Sequence, residues 1–131
     1  MSKINWRKKL KWTDEHLEDL RYTGFAYLRQ GKYDIAISFF EALAVLDPEC
    51  AYDAQTLGAL YLQIGNTEKA LKWLDRALKL DADHAVTLLN FCKLLFMIGK
   101  KNEGLKLANI LKNEPNAVIS NVAKALILAY T

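Results

Sequence analysis

Histidine and carboxylate side chains are the groups in this sequence from which a metal site would be built. The only two histidines are His16 and His84. His84 follows Asp81 and Asp83 at a predicted turn between helices, and one imidazole with two carboxylates is a ligand set that zinc accepts. Such a trio in a polar loop is more typical of a solvated turn than of a metal centre. We therefore expect no metal site here.

The two cysteines give no sign of a nucleophile or a metal knuckle. Cys50 and Cys92 lie 42 positions apart and form no C-x-x-C pair. Both fall in helical patterns, so we expect reduced thiols in a bacterial cytoplasm, with one disulfide as the alternative. The sequence also contains no phosphate loop, dinucleotide fingerprint or serine-nucleophile motif. We therefore expect no enzymatic activity, no catalytic residue and no cofactor.

Charge is concentrated at the amino end of the chain. The net charge is +3, and residues 1–16 account for all of it, because the rest of the chain carries equal numbers of acidic and basic groups. A neutral body does not favour nucleic-acid binding, and Trp6, Trp12 and Trp73 are interpreted as packing residues. The most apolar stretch, residues 88–98, is too short to span a bilayer. No apolar stretch follows the first basic residues, so no signal peptide is expected.

A self-similarity at an offset of 34 residues organises the rest of the sequence. At this offset Gly24 aligns with Gly58, while Gly31 aligns with Gly65 and then with Gly99. A fixed period of this length is the signature of a repeat fold in which each unit is one helical hairpin. The predicted division is a basic segment 1–16, repeats 17–50, 51–84 and 85–118, and a terminal helix 119–131.

Small residues explain how the predicted helices pack and end. Gly24 and Gly58 lie within first helices, where bare backbone allows the neighbouring helix to come close. Gly31, Gly65 and Gly99 are placed to end those helices in the left-handed conformation. Thr13 and either Asn66 or Thr67 are expected to cap helix starts, and Asp47-Pro48 is expected to stop a helix.

The third repeat is less regular than the first two. Cys92 stands where the others have glycine, and Gly104 stands where they have alanine. The terminal segment is expected to place four small or apolar residues, Val122, Ala125, Leu126 and Ala129, in the positions of another first helix. Its sequence ends in ALILAY, which is more apolar than a solvent-facing end should be. A co-chaperone or a second copy of the chain is therefore an expected cover for it.

The chain resembles the tetratricopeptide repeat family over residues 17–118. The residues that carry the resemblance are Leu57, Gly58, Tyr61, Ala70 and Ala77 in repeat two, and Gly24, Tyr27, Ala36, Phe40 and Pro48 in repeat one. The resemblance implies an all-α fold, an α-α superhelix of three helix-turn-helix repeats followed by a C-terminal helix. It says little about function alone, because such repeats bind many partners.

In that family the first helices line a concave groove through positions 2, 5, 9 and 12 of each repeat. Beyond Glu18, these positions hold Arg21, Phe25, Leu28, Tyr52, Gln55, Ala59, Leu62, Val86, Leu89, Lys93 and Phe96. Most are apolar, which favours binding of an extended or helical polypeptide segment, with Arg21 and Lys93 as polar anchors. The alternative is that the chain's own terminal segments fill the groove. A carboxylate clamp for chaperone tails is not expected, since only Arg21 fits its pattern.

The run Gly31 to Ala36, followed by Phe40 to Asp47, is similar to the first repeat of type III secretion chaperones of the translocator class. The needle-subunit chaperones of those systems are a second resemblance. Both imply a cytoplasmic bacterial chaperone that keeps a secreted subunit soluble until export. A general repeat adapter without an export role is the alternative function.

Residues 1–16 have three competing interpretations. Trp6 and Leu10 share a helix face, so the segment packs on the first repeat as a strap, contacts a second subunit as in a homodimer, or forms an arm for nucleic acid or membrane.

Overall fold

The computed structural model describes residues 4–131. Residues 1–3, part of the predicted N-terminal segment, lie outside the described residues. Between residues 4 and 131 the chain contains helices and no strand, which confirms the predicted all-α class. The helices are α1 (Trp6–Lys9), α2 (Asp14–Arg29), α3 (Tyr33–Leu46), α4 (Ala51–Gln63), α5 (Thr67–Leu80), α6 (Ala85–Met97), α7 (Lys101–Leu111) and α8 (Ala117–Tyr130).

The helix ends follow from local chemistry. The hydroxyl of Thr13 accepts a hydrogen bond from the His16 amide and so caps α2, and the side chain of Asn66 accepts from the Lys69 amide and caps α5. Gly65 has a positive φ of 80°, a backbone conformation that side chains with a Cβ rarely adopt. It lets the chain turn sharply from α4 into α5, and the predicted caps are confirmed.

Three helical hairpins stack side by side. α2 packs against α3, α4 against α5 and α6 against α7, and each hairpin also packs on the next, with α8 lying against both α6 and α7. The first two hairpins share one apolar core, and the third hairpin forms a second core with α8. This is the predicted superhelix of repeated hairpins with a C-terminal helix.

Bare backbone brings the helices of each hairpin close together. A Cβ on Gly58 would lie 2.5 Å from Cδ2 of Leu74, and one on Gly24 would lie 2.9 Å from Cβ of Phe39. The predicted packing role of both glycines is confirmed. In the third hairpin the arrangement is reversed, because Gly104 of α7 meets a side chain of the first helix, Phe96, at 2.9 Å.

The terminal helix does not sit in the predicted alignment. Ile119 and Ala123 are buried, whereas Ala125 and Ala129, which were predicted to face inward, are exposed. Val122 and Leu126 do pack on the second core. The cause is the length of α7, which has 11 residues where α3 and α5 have 14. The fourth first-type helix therefore aligns with α6 at an offset of 31, so that Ala123 takes the buried place of Cys92.

The N-terminal segment is split between the core and the surface. Trp12 packs against the first core, as the strap interpretation requires, but Ile4, Trp6 and Leu10 stay exposed. Arg7 anchors the segment by an ion pair with Asp14. Among residues 4–131, no helix has both the length and the apolar character needed to cross a bilayer.

Candidate functional site

The first helices α2, α4 and α6 share one side of the stack, and two clefts open on that side. The larger cleft has a volume of about 590 Å³ and lies over the first hairpin and the start of the second. The smaller cleft, of about 240 Å³, lies between α4 and α6. Together they form the candidate groove.

The larger cleft combines aromatic side chains with charge. Its lining is Glu18, Arg21, Tyr22, Phe25, Arg29, Cys50 and Tyr52. Phe25 is 38% exposed and Tyr52 is 47% exposed, so both offer free ring surface. The guanidinium of Arg29 lies 5.1 Å from the ring centre of Phe25, which is a cation–π distance. This end of the groove suits an apolar side chain held near a hydrogen-bonding or acidic group.

The smaller cleft is less aromatic and more polar. It is lined by Ala59, Leu62, Gln63, Asn90, Lys93 and Met97. Ala59 and Lys93 are half-buried, while Leu62 forms part of the base. The groove therefore changes along its length, from aromatic rings at the first hairpin to small, amide and thioether groups at the third.

Four of the predicted groove residues are corrected by their burial. Gln55, Leu62, Leu89 and Phe96 are all buried. Each lies at position 5 or 12 of its repeat, and these positions point between neighbouring helices. The ring of Phe96 is stacked on Tyr130 at 4.1 Å, so α8 covers it. Of this set only Leu62 borders a cleft.

The remaining predicted residues divide between surface and packing. Positions 2 and 9 are the accessible ones, and they include Phe25, Tyr52 and Val86, which are exposed. Leu28 packs against the first core instead of lining a cleft. Arg21 borders the larger cleft, but its guanidinium is already engaged.

Sequence reasoning missed positions 6 and 13. These positions place Tyr22, Arg29, Gln63, Asn90 and Met97 in the clefts. A signal for them exists, because positions 2, 6, 9 and 13 are spaced by four, three and four residues and so form one stripe on a helix. The four predicted positions instead mixed this stripe with the neighbouring, inward-facing one.

Arg21 links the first two hairpins through three carboxylates. Its Nε and one terminal nitrogen donate to Asp53 at 2.8 and 2.7 Å. The same terminal nitrogen donates to Asp47 at 2.7 Å, and the other donates to Glu18 at 2.7 Å. Asp53 is 1% exposed, so the two-point contact neutralises a buried charge. The hydrogen bonds to Asp53 hold the pKa of Arg21 well above its ordinary value, against the opposing effect of burial.

This arrangement also decides how two candidate metal-ligand groups are interpreted. Asp47, Cys50 and Asp53 lie close enough to share an ion. The guanidinium of Arg21 donates to both carboxylates, so a protein cation already occupies the position between them. His84, the histidine considered from sequence, caps α6 through Nδ1, which lies 2.8 Å from the Thr87 hydroxyl.

Both cysteines are free thiols. Cys92 donates to the Gly104 carbonyl at 3.3 Å, and its burial raises the pKa of the thiol to about 11. Burial likewise raises the pKa of Cys50. Neither thiol has the lowered pKa that a nucleophilic cysteine needs.

Comparisons with known proteins follow from this geometry. The family model described as anaphase-promoting complex, cyclosome, subunit 3 matches residues 29–109. Anaphase-promoting complex subunit 3 of Schizosaccharomyces pombe is 27% identical over 104 residues, which is 79% of this chain. The chain spans only 16% of the length of that relative.

Solved structures with the same fold are type III secretion chaperones. The translocator chaperone SycD of Yersinia enterocolitica superposes with a TM-score of 0.81 at 22% identity, covering 98% of this chain and 99% of SycD. SycD in complex with a peptide of the translocator YopD superposes with a TM-score of 0.80 at 22% identity, covering 90% and 94%. The tetratricopeptide-type architecture predicted from the sequence is thereby confirmed.

Proposed function

The chain belongs to the repeat family described as anaphase-promoting complex, cyclosome, subunit 3, and from that premise we propose that it binds another polypeptide. The bound segment would belong to a secreted subunit of a type III secretion system, of the translocator or the needle class. The chain would act as a non-enzymatic chaperone in the bacterial cytoplasm and keep that segment soluble until export.

The observation that carries this proposal is the open groove over α2 and α4. Phe25, Tyr22 and Tyr52 expose aromatic surface there, and described terminal residues do not line either cleft. An exposed aromatic cluster in a concave surface favours an apolar guest segment. The match to SycD over nearly the whole of both chains supports the chaperone class, since a repeat block within a larger protein would match only in part.

A general adapter is the second candidate function. It is favoured by the sequence match to the fission yeast subunit, which is higher in identity than the match to SycD. In that case the groove would join two proteins with no export step. The position of the gene distinguishes the two, since a chaperone gene is expected among those of a secretion apparatus.

The test is co-expression of the chain with the products of neighbouring genes, followed by purification of complexes. We expect a secreted subunit to co-purify with the wild-type chain. Phe25→Glu should abolish this, because a carboxylate would face the apolar guest. Phe25 is partly exposed, so the fold should survive, which circular dichroism would check.

Ile110→Glu is the matched control. Ile110 is 67% exposed on α7, outside both clefts, and the substitution makes the same change of charge. It should leave the complex intact. Failure of any secreted subunit to co-purify would overturn the chaperone proposal, and an unchanged complex with Phe25→Glu would overturn the groove as its binding surface.

A further inference from the structure

A second crevice lies on the opposite side of the stack, where the second helices α3 and α5 meet. We define this outer crevice by its lining residues, which are Ala44, Asp47, Pro48, Cys50, Ala54, Lys72, Trp73, Asp75, Arg76 and Lys79. Its volume is about 380 Å³. Small side chains at Ala44 and Ala54 leave this space open beside the half-buried ring of Trp73. The room is sufficient for one or two apolar side chains of a partner.

The rim of the outer crevice is basic. Lys72, Arg76 and Lys79 are spaced by four and three residues, so they lie on one face of α5. The ammonium group of Lys72 lies 5.0 Å from the ring centre of Trp73. One terminal nitrogen of Arg76 donates to the Pro48 carbonyl at 2.9 Å, which orients the guanidinium at the crevice mouth.

The carboxylates of the crevice do not neutralise these cations. Asp47 is bound to Arg21 at 2.7 Å, and Asp75 is bound to Lys79 at 2.9 Å. Within residues 4–131, no carboxylate lies at ion-pair distance from Lys72 or Arg76. The crevice therefore offers two positive groups beside an indole and an apolar floor.

The repeat fold does not require this pattern. The places of Lys72, Trp73, Arg76 and Lys79 are taken 34 residues earlier by Ser38, Phe39, Ala42 and Val45, and 34 residues later by Lys106, Leu107, Ile110 and Asn113. Only the second hairpin combines an indole with three cations, although all three hairpins stack in the same way. Stacking alone thus does not account for the outer crevice.

We propose that the outer crevice docks an acidic segment of a partner protein that carries an apolar side chain. The apolar side chain would enter beside Trp73, and neighbouring carboxylates would pair with Lys72 and Arg76. Complementary charge favours this partner over a second copy of the chain, whose body is neutral. The site is on the side away from the groove, so both surfaces work at once, and the proposal holds whichever polypeptide occupies the groove.

The experiment uses the full chain and a fluorescein-labelled peptide of alternating glutamate and leucine, followed by fluorescence anisotropy. We expect binding that weakens as salt is raised, since exposed ion pairs are screened. The double substitution Lys72→Glu/Arg76→Glu should weaken binding about tenfold or more, because two ion pairs are lost. The neutral pair Lys72→Gln/Arg76→Gln should weaken it in the same direction, which separates loss of pairing from added repulsion.

Lys101→Glu/Lys106→Glu is the matched control, since it makes the same charge change on α7 and Lys106 holds the place of Lys72. It should leave the affinity within about twofold of wild type. Equal losses in the two glutamate pairs would overturn the proposal, as would no binding of the acidic peptide. Tighter binding of a single-stranded DNA oligonucleotide with the same dependence on Lys72 and Arg76 would also overturn it, because the site would then be a phosphate site. Complex formation at the groove should be unaffected by these substitutions.

Discussion

Removal of the guanidinium at position 21 should strip the first two hairpins of their electrostatic link. In Arg21→Met the side chain keeps its length and apolar stem but loses every contact with Glu18, Asp47 and Asp53. Asp53 is the carboxylate that suffers, because it is 1% exposed and both of its oxygens accept from Arg21. Asp47 is 29% exposed and can be hydrated in place of the lost bond.

The expected loss follows from these burials. Breaking a buried ion pair by removing one partner costs about 3 to 5 kcal/mol. We expect about 3 kcal/mol here, at the lower end, because the Arg21 side chain is itself 15% exposed and water can reach part of the site. For a chain of this length that corresponds to a fall in Tm of about 10 °C. Arg21→Lys should cost about half as much, since an ammonium keeps the charge without the two-point geometry.

Urea unfolding followed by circular dichroism measures these changes. Arg21→Met/Asp53→Asn should recover roughly half of the lost free energy, because a neutral amide replaces the stranded carboxylate. Arg29→Met removes an exposed guanidinium of the same helix and should cost at most about 1 kcal/mol. The effect of Arg21→Met should be the same from about pH 7 to about pH 9. The raised pKa of Arg21 keeps its contribution fully present below the ordinary arginine pKa, so it is lost only at higher pH.

Two results would refute this reasoning. The first is a cost below about 1 kcal/mol for Arg21→Met, which would mean that Asp53 is hydrated or protonated in the variant. The second is a double variant that is less stable than Arg21→Met alone, which would mean that Asp53 is not the source of the penalty.

Two further substitutions test packing and a buried hydroxyl. Gly58→Ala should cost about 1 to 3 kcal/mol in urea unfolding, since its Cβ would lie 2.5 Å from Cδ2 of Leu74, whereas the exposed Gln63→Ala of the same helix should change stability by less than about 0.5 kcal/mol. Tyr61 donates to Glu41 at 2.6 Å, and burial together with that carboxylate raises the pKa of Tyr61 to about 12 from 10.0. A raised pKa of this kind stabilises the fold below pH 10.0 and loses that stabilisation as the pH rises toward about 12. The advantage of wild type over Tyr61→Phe, about 1 kcal/mol at pH ~9 by urea midpoints, should therefore shrink at pH ~11, and an unchanged difference would contradict the assignment.

Local signals predicted the fold because each is read within one hairpin. The 34-residue period, the cap at Thr13 and the turn at Gly65 depend on residues a few positions apart, and all were placed correctly. The shift of α8 was missed because the period was extended past the end of α7. A helix shorter by 3 residues, 11 against 14, rotates everything that follows it by most of a turn, so Ile119 and Ala123 became the buried pair.

The candidate groove was predicted less well, because it depends on how hairpins are rotated against each other. Phe25 and Tyr52 were identified, since their stripe is exposed in any such stack. The covering of Phe96 by Tyr130 required the true position of α8. The contact of Arg21 with Asp47 and Asp53 joins residues 26 and 32 positions apart, and no local pattern specifies such a pairing.

The reversed contact between Phe96 and Gly104 has a consequence for how divergent copies of this motif are recognised. In two hairpins the bare position belongs to the leading helix, and in the third it belongs to the trailing one, yet a side chain covers an unsubstituted backbone in each. Mutation can thus transfer the vacancy across the interface while the spacing between the two axes stays small. An alignment that scores single columns will undervalue such a copy, whereas one that scores the two facing columns jointly would detect it.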